Sequence, residues 1–321
     1  DGIEIKEGSY GNVVRDNVIH DTNYPCLLLY STVGNGDANL IERNVMWNCG
    51  DNGMQVAADA TIRNNIVLGA SASGIAMQPH QNGAPDNLVV VHNTVVNGGD
   101  AIALRGADGA VTIANNAAYS SGGFAIRQQG TIDDVTVTGN VGVGGLSQGS
   151  GGLADGDLSA DFVAASYEDT PSNVFPVDGG ALPGEGDGDH VTDDDFNGLD
   201  RNGVADVGAY RFEASGNPGW TIAGEFKELA DPDPDPGDDV GADASGDVGA
   251  DASNDTGVSD AADDGDSDVA NGVDVGPDAS NDDGDAGSEG GCNCSQSGGT
   301  PSVPLEALLL VGVWAIVRRS R

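Results

Sequence analysis

The sequence predicts an all-β fold, a right-handed parallel β-helix, followed by a disordered acidic linker and a short C-terminal hydrophobic helix. Three observations point to the solenoid. First, one asparagine recurs as Asn17, Asn44, Asn65, Asn93, Asn116 and Asn140, at separations of 27, 21, 28, 23 and 24 residues. Self-similarity at such a period marks stacked coils. The repeated position suits a turn at which side-chain amides hydrogen-bond along the stack, as Asn ladders do in stacked sheets. Second, three residues before each asparagine stands Val14, Ile41, Ile62, Val90, Ile113 or Val137. A column that is wholly β-branched and apolar fits a buried strand face. Third, equivalent positions recur once per coil of three short strands, and no stretch of helical period intervenes. A sandwich would instead pair hairpins through two-residue turns. Handedness follows from the right-handed crossover preference.

Residues 1–146 hold six coils. One strand of each begins near a small residue: GIEI at Gly2, CLLL at Cys26, GMQV at Gly53, GIAM at Gly74, DAIAL at Asp100 and GFAI at Gly123. Alternation places Ile3/Ile5, Met54/Val56, Ile75/Met77 and Ile102/Leu104 on one side. The mixed column Arg15, Glu42, Arg63, Val91, Ala114 and Thr138 is expected to face solvent. Residues 147–228 lose the period and read as an irregular capping segment. Its NGLDRNGVADVGAYRFE stretch, with Phe196, Tyr210, Phe212 and Trp220, is expected to cover the open last coil, since a bare strand edge invites aggregation.

Composition changes after that. The net charge of −40 is unevenly placed: residues 1–150 carry 14 acidic and 6 basic side chains, a balance of −8, whereas Asp231 to Glu289 hold 20 acidic residues and no Lys or Arg. Clustered Lys and Arg, the footprint of nucleic-acid binding, are missing. The DPDPDP run at 231–236 forces an extended chain, and residues 229–290 lack the large apolar side chains needed to fold. That stretch reads as a solvated stalk. Cys26 and Cys49 lie about one repeat apart; they are either a disulfide, as suits an extracellular protein, or two half-buried thiols. The chain opens at Asp1 inside a repeat, and the expectation is a fragment whose leader and first coils precede it.

The columns above, especially the IERNV and IRNNI pattern, resemble those of the right-handed parallel β-helix, or pectate-lyase-like, superfamily over residues 1–146. The resemblance implies fold and leaves activity open, since such proteins include polysaccharide lyases, glycoside hydrolases, epimerases and adhesins. The tail, residues 291–321, is similar to the MYXO-CTERM sorting tail. It has Gly291, Cys292 and Cys294, then a run of about 14 mostly apolar residues, then Arg318, Arg319 and Arg321. The run is short of the ~20 residues of a stable spanning helix. That resemblance implies export, association with the membrane through the tail before processing, cleavage near Cys292 and Cys294 by a sorting protease, and retention at the cell surface.

Catalytic candidates follow from what a uronic-acid lyase needs: a base, and a cation for the carboxylate-derived anion. Lys6 and Arg105 occupy similar positions but lie four coils apart, roughly 19 Å at the spacing of neighbouring strands. The better cluster is His80 as base, Arg105 and Arg127 as a clamp on an acidic sugar, and Gln78 as a ligand-binding group. No outward column holds the stacked aspartates of a calcium-dependent pectate lyase. Asp193, Asp195 and Asn197 match the first half of a Ca²⁺ loop, with Gly198 at the turn, although Val204 replaces the closing glutamate. The functional expectation is a cell-surface β-helix that binds extracellular polysaccharide. The alternatives are a lyase or hydrolase acting on acidic glycans, and a structural spacer or adhesin.

Overall fold

The computed structural model describes residues 1–227 apart from 7, 31–33, 35, 131–133 and 169. The linker at 229–290 and the tail with Cys292 and Cys294 lie outside the described residues. The fold is a right-handed parallel β-helix of about six turns. Each turn contributes one strand to each of three parallel sheets. The first sheet runs Ile3–Ile5, Leu27–Tyr30, Met54–Ala57, Ile75–Met77, Ile102–Arg105 and Ile126–Gln129. The second runs from Val13–Arg15 to Val135–Thr138, and the third from Val18–Thr22 to Asn140–Val143 with Leu153–Asp155 added beyond the last turn.

Register explains the core. Val14, Ile41, Ile62, Val90, Ile113 and Val137 pair one above another. Opposite them, Leu27, Leu29, Met54, Val56, Ile75, Met77, Ile102 and Leu104 are fully buried in the same cluster. Each such side chain contributes about 1.5–3 kcal/mol when removed from water.

The asparagine column forms a continuous ladder. Asn65 Oδ1 accepts from the backbone N–H of Asn44 at 3.0 Å and from its Nδ2 at 2.9 Å. Asn65 in turn donates its N–H and Nδ2 to Asn93 Oδ1, both at 3.0 Å. The rung repeats from Asn17 through Asn93 and Asn116 to Asn140. A second donation fixes each amide to the β-branched column of the coil before it, as in Asn65 to the Ile41 carbonyl and Asn93 to that of Ile62. The residue preceding each ladder asparagine is left-handed: Asp16, Arg43, Asn64, His92, Asn115 and Gly139 all have φ between 53° and 62°. One residue thus turns the chain from the second sheet into the third, which favours Asn, Asp, His and Gly. Arg43 is the exception, and ion pairs to Asp16 and Asp194 hold it there.

Cys26 and Cys49 form a disulfide, with Cα atoms 5.3 Å apart and both residues fully buried. It closes a loop with a sequence separation of 23 residues. Replacing both cysteines by alanine is expected to lower the unfolding free energy by about 3 kcal/mol. Urea denaturation checks this, and an unchanged midpoint contradicts it.

Two expectations are corrected. Residues 156–227 do not plug the last coil; they lie along the flank of the solenoid. The third sheet is apolar on both faces, and its outer side chains Val45, Trp47, Ile66, Leu68, Val96 and Tyr119 form a second core with Phe162, Phe175, Leu182, Phe196, Val207 and Tyr210. A sheet apolar on both sides requires cover on both. The mixed column is therefore not solvent-facing throughout: Glu42, Val91 and Ala114 are buried.

Arg201, fully buried, fastens this flank. Its guanidinium donates to the carbonyls of Asp194, Asp206, Gly208, Ala209 and Tyr210 and to Asn64 Oδ1. Lys227 does the same at the far end. Its Nζ sits 2.9 Å from Asp16 Oδ1 and 3.1 Å from the Arg43 carbonyl, bonds the Phe196 carbonyl, and lies 3.7 Å from the centre of the Phe196 ring. Burial pushes this amine down to about 8, against the pull of Asp16, from an ordinary value of 10.5. Between those values the unfolded chain binds more protons, so this group makes folding more favourable as pH rises through that window. Comparing Lys227→Met with the parent by urea unfolding at about pH 7.5 and about pH 10 isolates it. The parent is expected to gain on the variant at the higher pH; a constant difference contradicts the buried amine.

Candidate functional site

The third sheet is covered, so two outer faces remain. On the second sheet one outward column, Val13, Leu40, Thr61, Val89, Thr112 and Thr136, carries no charge. The other begins with Arg15, Glu42 and Arg63, whose charges pair with one another and with Asp194. The first sheet differs. Its register places Glu4, Leu28, Gln55, Ala76, Ala103 and Arg127 in one outward column. A neighbouring column includes Tyr30, Ala57, Arg105 and Gln129.

Polar groups on this face form a continuous chain. Asn52 Nδ2 and Gln78 Nε2 both donate to Gln55 Oε1, each at 3.1 Å. Arg105 donates to Gln78 Oε1 at 3.0 Å, to Ser73 Oγ at 2.9 Å and to Asp100 at 3.3 Å. Arg127 holds the same Asp100 through both carboxylate oxygens, and its guanidinium carbon lies over Phe124, 4.5 Å from the ring centre. Burial would raise the Asp100 carboxyl, but the hydrogen bonds from Arg127 and the Phe124 N–H outweigh it and hold it below the ordinary range. Two guanidiniums around one carboxylate leave a single positive charge, with side chains 29% and 30% exposed.

The structure places Gln78 against Arg105, and links Arg105 to Arg127 only through Asp100. Arg127 does not follow the strand as Arg105 does. It pairs with Ala103 inside the strand, and Arg105 pairs with Gln129. Arg105 stands three residues after Ile102, whereas Arg127 stands one residue after Ile126, the partner of Ile102. The two arginines therefore bracket Asp100 and do not form an open parallel clamp. His80 stands apart from both. Its backbone bridges Gly83, its ring packs edge-on to Tyr30 at 5.1 Å, and it lines a different cavity.

The acidic turn is also corrected. Asp195 is buried and its carboxylate accepts the backbone N–H groups of Asn197, Leu199 and Arg211. Asn197 Nδ2 is spent on Asn217, and the Asp193 carbonyl accepts from the Arg201 N–H. The Asp195 carboxylate thus serves the turn's own amides, while Asn197 Oδ1 is buried without a hydrogen-bond partner among the described residues. Among the described residues no group of three or more His, Cys, Asp or Glu is placed to hold a metal ion.

His92 belongs to the architecture. It is fully buried at the left-handed corner, with Nε2 3.2 Å from the His190 carbonyl and 3.2 Å from Asn115 Nδ2. Burial, with the nearby Arg201 charge, pushes it well below the ordinary histidine value. The residues the sequence did not single out here are Asp100, Gln55, Asn52 and Ser73. Gln55 was detectable, as the polar outward residue of a strand whose neighbours are apolar.

Fold and face together define a β-helix with one flank sealed by its own C-terminal segment and with the polar outer face of the first sheet left open. The family model described as the right handed beta helix region matches residues 1–118, which includes the ladder from Asn17 to Asn116. No curated protein and no solved structure matches the chain.

Proposed function

We propose that the protein binds an extracellular or cell-surface polysaccharide along the outer face of the first sheet. The observation that carries this reading is the chain of amides and guanidiniums from Asn52 through Gln55, Gln78 and Arg105 to Asp100 and Arg127. Planar donors and acceptors held rigid by one another match the hydroxyls and carboxylates of an acidic glycan. Beside them Tyr24, 64% exposed, offers an aromatic surface. The buried disulfide supports an oxidising, extracellular setting. In this reading residues 229–290 are a stalk. The tail with Cys292 and Cys294 directs export, holds the membrane before processing and is cut by a sorting protease.

A lyase or hydrolase is the second reading. It is favoured by one observation, that Glu4, Asp51 and His80 line the same cavity and supply groups for proton transfer. Titration calorimetry with acidic oligosaccharides tests the first reading. Arg105→Ala and Arg127→Ala are each expected to weaken binding about tenfold or more, with no product released. Release of unsaturated or newly reducing ends, lost in His80→Ala, would replace binding with catalysis.

A further inference from the structure

The open face is divided into two adjoining cavities of opposite charge, and the division bears on which polymer fits. The larger, about 480 Å³, lies over the early coils; Glu4, Tyr24, Leu28, Asp51, Gln55 and His80 line it. The smaller, about 340 Å³, lies over later coils between Arg105 and Arg127, on a floor of Ala72, Gly99 and Gly122. They meet at Gln78, which lines the first and accepts from Arg105 of the second. The column from Glu4 to Arg127 spans five strand steps, about 24 Å at the usual spacing. A linear glycan lying along it crosses both cavities.

The charges are unequal. Lys6 offsets Glu4 at 3.1 Å, and Asp51 leaves the larger cavity net negative. Asp100 offsets only one of the two arginines, so the smaller cavity is net positive. An anionic sugar is attracted to the arginines, but a second carboxylate in the neighbouring cavity meets Glu4 and Asp51. Like charges in juxtaposition are how a binding face rejects the wrong partner. The uncharged ring of a neutral sugar packs instead on Tyr24 and Leu28 and hydrogen-bonds to Gln55.

Resting on the glycan-binding reading above, we infer that the face selects a polysaccharide in which an acidic sugar alternates with a neutral one, and discriminates against unbroken polyuronates. Calorimetry on the full chain, with hyaluronan oligosaccharides as the alternating probe and oligogalacturonate and oligoalginate of matched length as the uniform ones, tests it. At about 0.1 M salt, where the screening length is about 10 Å, the alternating probe is expected to bind at least about tenfold tighter. Glu4→Gln with Asp51→Asn is expected to narrow the preference by strengthening polyuronate binding, and Glu4→Gln alone to narrow it in part. Equal or tighter polyuronate binding by the parent, or a preference untouched in both variants, overturns the inference while the glycan reading stands. If none of the three oligosaccharides binds, both fall together.

Discussion

Asn65→Asp is expected to be among the most damaging single substitutions in the solenoid, costing about 4 kcal/mol or more despite near-identical shape. Asn65 donates its side-chain amide to the carbonyls of Ile41 and Arg63 and to Asn93 Oδ1, at 2.9 to 3.0 Å. A carboxylate there has no proton to give. It sets a buried negative charge against three acceptors, and the ladder is cut at its middle. Asn65→Ala also cuts the ladder and strands the donors of Asn44, but introduces no charge, so it is expected to cost less at neutral pH. Acidification separates the two effects. The new carboxyl is held protonated more strongly in the folded state than in the unfolded one. The folded form of the aspartate variant therefore loses stability as pH rises above the ordinary carboxylate range. Urea unfolding of both variants at acid and neutral pH is expected to show the aspartate deficit shrinking at acid pH. A pH-independent gap of under about 1 kcal/mol would show that the amides do not carry the stack.

Arg201→Met is expected to cost about 3–5 kcal/mol, through a different route. The methionine fills much of the volume but leaves five carbonyls and Asn64 Oδ1 without their shared donor, in a place water does not reach. The loss falls on the flank. With Arg201 gone, the segment that covers Trp47, Leu68 and Tyr119 loses its fastening, and those side chains become an exposed apolar strip. Limited proteolysis is expected to cut residues 180–227 in the variant while the coils persist. Urea unfolding of the parent and variant gives the magnitude. A variant within about 1 kcal/mol of the parent, with the segment still protected, would mean that the apolar contact alone holds the flank.

The solenoid was legible because its two signals are local and periodic. Val90 and Asn93, or Ile62 and Asn65, show their roles within a few residues, and stacking only multiplies them. The sealed flank was partly legible. Runs such as IVL at 66–68 and AAY at 117–119 are apolar without alternation, which in a parallel sheet means burial on both faces. What could not be read was the cover itself. Arg201 sits in an irregular stretch, its link to the solenoid, Asn64, is 137 residues away, and no local pattern marks a cation that bonds only to carbonyl and amide oxygens. The binding face failed on register. In the register of the first sheet Arg127 pairs with Ala103 and Arg105 with Gln129, so the two arginines stand two positions apart. That shift turns an apparent clamp into a pair of cations sharing Asp100. The turn at Asp193 is a related case: a carboxylate such as Asp195, which would suit a cation, also suits a loop's own backbone donors.

Side-chain amide exchange, followed by NMR on ¹⁵N-labelled protein transferred to D₂O, reaches the ladder most directly. The Nδ2 hydrogens of Asn44, Asn65, Asn93 and Asn116 are expected to persist for hours, because each is locked between neighbouring coils and opens only with the solenoid. If those four groups exchange as fast as the amide of an exposed asparagine, the stacked rungs do not exist in solution and the open face built on them has no rigid support.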